Sequence, residues 1–217
     1  MSQPARLTLS RSASIVGGLL WACLAPVFVY ADRALHKPGT AGFALAVSAM
    51  WLVGVVSLVL LLLGLAQLWS LGRDRLARLG QAGIVVSALA LAAMAVGNGI
   101  ELYTVTAHGT DSEIGHTIFL IAFLILIVAS ILLGQILVRR RWNASVRWAG
   151  LFLLLAAPLG ILSLVLGGVL SPETDLGFWS ALSVPYAMAR VLLAVFAPHG
   201  DDMTIKPVAT PGGAPPP

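Results

Sequence analysis

The residues whose types and spacing invite chemistry fall in two places. The first begins with Ser87, Met94, Asn98 and Glu101, spaced seven, four and three apart, which puts them on one stripe of a helix. His108, Asp111, Glu113 and His116 follow soon after. Glu113-Ile-Gly-His116 has the E-x-x-H spacing, which sets both side chains on one helix face. Di-iron bundles use that pair twice, with further glutamates; this chain has it once. Asn98, Glu101, Glu113 and His116 thus form a candidate polar cluster, suited to a divalent metal or to sensing protons. An ionisable group so near apolar sequence is a functional candidate, although Glu101 also lies near enough to a span end to reach water. Thr110 followed three residues later by Glu113 fits a capping box at a helix start, a plainer use of the same residues.

The second place is Arg190, a basic residue well inside an apolar stretch with no acidic residue at its depth. A central charge costs ~2.5–3.5 kcal/mol on insertion scales. Ser180, Ser183, Ala187, Arg190 and Ala194 share one small or polar stripe. Two arrangements suit it. Snorkelling to the cytoplasmic interface is the plainer one. The other turns the stripe into the protein and bonds Arg190 to Gln67, to Gln135, to carbonyls or to an anionic lipid head group.

Other chemistry is thinly represented. Cys23 is the single cysteine, which excludes an internal disulfide, a CxxC pair and a cysteine-based metal site. Its apolar surroundings predict buried packing. Walker loops, GxSxG and HExxH are missing, and no histidine lies in the middle of an apolar stretch to ligate a haem. No residue set reads as catalytic, and no cofactor is expected.

The elements that position these side chains follow from composition. Hydrophobic residues make up 59% of the 217 and charged residues 10%, with a mean hydropathy of +0.95; soluble domains carry roughly 25% charged residues. Lipid is the solvent that suits such a chain. The net charge of +4 comes from arginines between apolar stretches, so membrane topology explains it and nucleic acid is not an expected partner. A span needs ~20 helical residues. Six stretches qualify, at about 13–30, 43–69, 82–103, 117–138, 149–170 and 178–196. The fold class is all-α: a polytopic transmembrane bundle over 1–197, with a disordered, cytoplasmic Pro/Gly-rich tail over 198–217. Open strands are excluded because their edges would stay unpaired in lipid.

Loop charges alternate. Arg73, Arg75 and Arg78 mark the second loop, and Arg139, Arg140, Arg141 and Arg147 the fourth; Asp111 and Glu113 mark the third, and Glu173 and Asp175 the fifth. Positive loops stay in the cytoplasm, so both termini are expected inside. The first stretch has a rival reading as a cleaved signal segment, with Arg6 and Arg11 ahead of an apolar run and Val29-Tyr30-Ala31 as the cleavage site. Small residues along the third stretch, from Gly83 to Gly99, mark it as the central helix. Pro26, Pro158 and Pro185 should bend their helices. Leu63-Gly64 with Gly83, and Leu133-Gly134 with Gly150, hint at two related hairpins. Gly72-Arg73-Asp74-Arg75 and Arg139-Arg140-Arg141-Trp142 close those hairpins. In this layout the whole chain resembles small multi-spanning proteins of unknown function in bacterial inner membranes. That resemblance implies location and architecture, not an activity.

Three readings compete. The chain is a non-enzymatic structural, accessory or small transport component; a metal-dependent enzyme or sensor with an outer-face site around Glu101 and His116; or a transporter with a polar pathway near Arg190. A concave pocket gathering Asn98, Glu101, Glu113 and His116 would favour the second, and a polar centre at Arg190 the third.

Overall fold

The computed structural model describes residues 3–35, 39–72, 76, 78–110, 112–139, 144–170 and 176–196, and all regular structure among them is helical. In chain order the elements are α1 Gln3–Ala22, α2 Leu24–Leu35, α3 Ala41–Met50, a π-helical segment Trp51–Val56, α4 Ser57–Gly72, α5 Arg78–His108, α6 Glu113–Arg139, α7 Ala144–Leu170 and α8 Leu176–Phe196. The expected all-α bundle forms. Five helical stretches are long and apolar enough to cross a membrane, and the bent pair Thr8–Ala22 and Leu24–Tyr30 makes a sixth when taken as one span. This is the make-up of a multi-pass membrane protein: helices satisfy their own backbone groups in lipid. The outer surface agrees, with Leu89, Ile121, Leu124, Val128, Ile161 and Leu170 all exposed.

Helix ends depart from the apolar boundaries. α5 runs for 31 residues, well past the stretch at 82–103, because its polar flanks continue the helix. It stops at Gly109, whose φ of +68° is the left-handed conformation that glycine adopts without a Cβ penalty. The cap of α6 is Ser112, not Thr110: the Gly115 N–H donates to Ser112 Oγ at 3.1 Å. Glu113 is therefore the first helical residue and not the third, and it favours the helix dipole there.

The first span breaks as its proline requires, but one turn earlier than the proline itself. Pro26 has no N–H for the carbonyl of Ala22, and the chain bends by 42° between Ala22 and Leu24. Pro158 and Pro185 do not interrupt α7 and α8. At the break, Trp21, Leu24, Ala25 and Phe28 turn inward. Cys23 is left exposed on the outside, against the expectation of buried packing.

Six helices close into a ring. α1 packs on α4, α4 on α5, α5 on α6, α6 on α7, α7 on α8, and α8 returns to α1. α2 and α3 extend the α1 and α4 positions toward the Glu113 end of α6. α5 is thus a ring member and not a central helix, because side chains and not a helix fill the middle. The stretch with the rival signal-segment reading, α1, is the helix that closes the ring.

Glycines set the seams, since helices in lipid gain little from apolar burial and rely on close approach. A Cβ on Gly97 would lie 2.7 Å from the Gly115 carbonyl oxygen, and one on Gly115 2.8 Å from that of Gly97, so the α5 and α6 backbones touch. Gly134 meets the Gly150 carbonyl the same way, at 2.7 Å, between α6 and α7. Gly17 faces Leu60 and Leu61 on α4, and Gly18 faces Val191 on α8. The two hairpins of the sequence repeat pack differently: Gly134 pairs with Gly150, whereas Gly64 meets Ser14 and Gly83 meets Leu133. The charged turns at 73–75 and 140–143, Asp111, 171–175 and the tail lie outside the described residues, as does the side chain of Gln67.

Candidate functional site

The stripe on α8 faces the ring interior: Ser183, Ala187, Arg190 and Ala194 are all buried. Arg190, only 3% exposed, reaches across the ring to α5, which does not neighbour α8. There its Nη2 donates to Ser87 Oγ at 3.3 Å. Snorkelling is thereby replaced by the inward arrangement; of the glutamines considered, Gln135 is exposed and the side chain of Gln67 lies outside the described residues. About 9 Å of helix axis separates Arg190 from the α8 end at Phe196, and about 13 Å separates Ser87 from the α5 start at Arg78, so the pair lies well inside the bundle.

A layer of aromatic side chains sits one turn toward the Glu113 end. Tyr186 precedes Arg190 by one turn on the same face of α8. Its ring lies 6.4 Å from that of Trp21 on α1, and 5.2 Å from Phe123 on α6 in an edge-to-face pair at 81°. Trp21, Tyr186 and Phe123 are all buried, and Leu91 and Met94 of α5 complete the layer.

The hydrogen bonding of this centre is unbalanced. Among the described residues, Arg190 Nη1, Tyr186 Oη and Trp21 Nε1 are buried with no hydrogen-bond partner, and Arg190 meets no carboxylate. The side-chain hydrogen bond that it does make goes to a neutral hydroxyl. Native interiors seldom leave such groups unpaired, and each one asks for an explanation.

Ser87, Met94 and Asn98 face inward, as the α5 stripe predicted. Asn98 turns to the π-helical segment, where a Cβ on Gly54 would lie 2.7 Å from its Nδ2. Glu101 faces α6 beside Gly115, the chain neighbour of His116: a Cβ on Gly115 would come within 3.2 Å of the Glu101 Cβ. Glu113 is exposed and His116 half-buried, one position around the helix from Gly115. Among the described residues no three of His, Cys, Asp and Glu gather into a set able to hold a metal ion. A surface groove of about 560 Å³ lies between α3 with the π-helical segment and α5, lined by Val47, Trp51, Gly99 and Tyr103 among others. Two of its hydroxyls are occupied locally, Ser48 donating to Ala44 O and Thr106 to Leu102 O. The groove therefore presents an apolar face on the outside of the ring, away from Arg190.

Sequence reasoning found Arg190 and Ser87 separately but did not pair them. It missed Tyr186 and Trp21, whose only signal was a polar tip on an aromatic residue within an apolar stretch. Comparison with family models, with curated proteins and with solved structures found no match.

Proposed function

We propose that this multi-pass membrane protein is a non-enzymatic component of a bacterial inner membrane, of the small transport kind, whose working element is the cationic ring centre at Arg190. One observation carries the reading: a guanidinium 3% exposed, bonded across the ring to a neutral serine, with Nη1 unpaired. Ionisable residues that face the interior of a membrane bundle commonly mark substrate or ion pathways. A purely structural bundle gains nothing from one, since apolar residues of similar volume pack there at no desolvation cost. The alternation of arginine-rich and acidic loops supports a cytoplasmic location for both termini, with the bilayer as the surrounding partner. The enzyme or sensor reading has less support, because no three of His, Cys, Asp and Glu gather among the described residues.

Flux measurements test the proposal. The purified chain in liposomes loaded with chloride, nitrate or acetate should release an anion faster than protein-free liposomes. Arg190→Gln should lower that rate at least tenfold. Equal rates for the variant and the parent protein, or no release of any of the anions, would sink the transport reading.

A further inference from the structure

We propose that the ring centre is a three-donor site for one small monovalent anion, such as a halide, nitrate or short carboxylate, held by Arg190, Tyr186 and Trp21. The inference rests on the transport reading for its setting and names the ligand class of the same site. Its basis is the chemistry of the unpaired atoms. The indole Nε1 and the guanidinium Nη1 can only donate, and a phenol can donate. All three are buried without an acceptor among the described residues. They share the interior of one ring, with Tyr186 one turn from Arg190 and packed on Trp21. Asn98 Nδ2 and Ser130 Oγ are also buried without a partner among the described residues; Asn98 faces Gly54 at a seam and Ser130 is a neutral hydroxyl on α6, so neither adds a charge to the set.

The positive charge and the donors discriminate among ligands. A metal cation or an ammonium group would meet the guanidinium of Arg190 and only neutral hydroxyl oxygens there. A neutral sugar or other polyol would leave the guanidinium charge unbalanced. An anion takes up the donors and balances that charge. One guanidinium in a buried, aromatic-walled interior balances one negative charge; a divalent anion would bury a second charge uncompensated. Trp21, Tyr186, Phe123, Leu91 and Met94 belong to the same packed core, which suits a ligand of few heavy atoms.

The test is thermal unfolding of the full-length protein in detergent at constant ionic strength, with gluconate replaced by nitrate, bromide, acetate or sulfate. A ligand that binds the folded state raises Tm saturably. The three small monovalent anions should do so and sulfate should not. Tyr186→Phe and Trp21→Phe keep the ring shape or bulk and remove one donor each; each should weaken apparent binding about tenfold, as expected for loss of a hydrogen bond to a charged group. Those two variants decide the matter even where Arg190→Gln fails to fold. Equal Tm shifts for sulfate and nitrate, or unchanged affinity in both aromatic variants, would overturn the site. So would stoichiometric lipid phosphorus on the parent protein that is lost in Tyr186→Phe, since the anion would then be a head group. Binding without flux would remove the transport reading and leave this site standing. Flux with unaltered anion preference in both aromatic variants would do the reverse.

Discussion

Arg190 and Glu101 are both ionisable residues set among apolar sequence, and the fold treats them oppositely. Arg190 is drawn into the ring centre and bridges two helices that do not otherwise pack. Glu101 lies at a helix seam near the end of α5, opposite a glycine and close to the turn capped by Ser112. The difference is one of solvent. Near a helix end, water can complete a polar group's bonding, so nearby groups need not converge. In the buried ring centre, an unpaired donor far from bulk water is a cost that a bound partner would offset.

The contrast can be broken or sharpened by substitution. Both regions hang on the α5–α6 seam, so Gly97→Leu should have the largest effect. Its side chain would enter the main chain of Gly115 and Phe119, at a cost of about 3 kcal/mol, the upper part of the usual range for overpacking. An unchanged Tm would mean that the seam yields and the two regions are not tied together.

Ser87→Ala should come next, at about 2 kcal/mol, because it removes the side-chain acceptor that Arg190 has among the described residues and weakens the pairing of a buried charge. The double variant Ser87→Ala with Arg190→Leu should regain most of that stability. Additive losses instead would show that the two side chains are not coupled.

At the helix end the effects should shrink. Ser112→Ala should cost about 1 kcal/mol by loss of the cap. Glu113→Gln and His116→Ala should each stay within about 0.5 kcal/mol, as surface positions do. A loss of several kcal/mol at His116 would erase the contrast and revive a site there.

The span pattern was legible because it depends on run length and polarity, which sequence states directly. Six stretches and the inward stripe of α5 through Ser87, Met94 and Asn98 follow from helical spacing alone. What spacing does not encode is which helix faces which. The closed ring, with α5 in its wall, depends on backbone approach at Gly97, Gly115, Gly134 and Gly150, and a glycine in an apolar run looks the same whether it meets a neighbour or, like Gly99, nothing. The same gap hid the pairing of Arg190 with Ser87, 103 residues apart. The π-helical turn at Trp51–Val56 had no distinguishing residue, since it reads as more apolar sequence. Cys23 was misplaced because the break caused by Pro26 lies upstream of the proline and rotates that position outward.

That rotation leaves the protein with its own spectroscopic handle. The chain's one sulfhydryl stands exposed at the apex of a 42° elbow. A single nitroxide or fluorophore attached there would need no cysteine-free background, and its mobility would follow the elbow angle as anions are added or the host bilayer is made thicker. A molecule built to hide its polar interior thus carries, on the outside, a position from which changes in that interior can be watched.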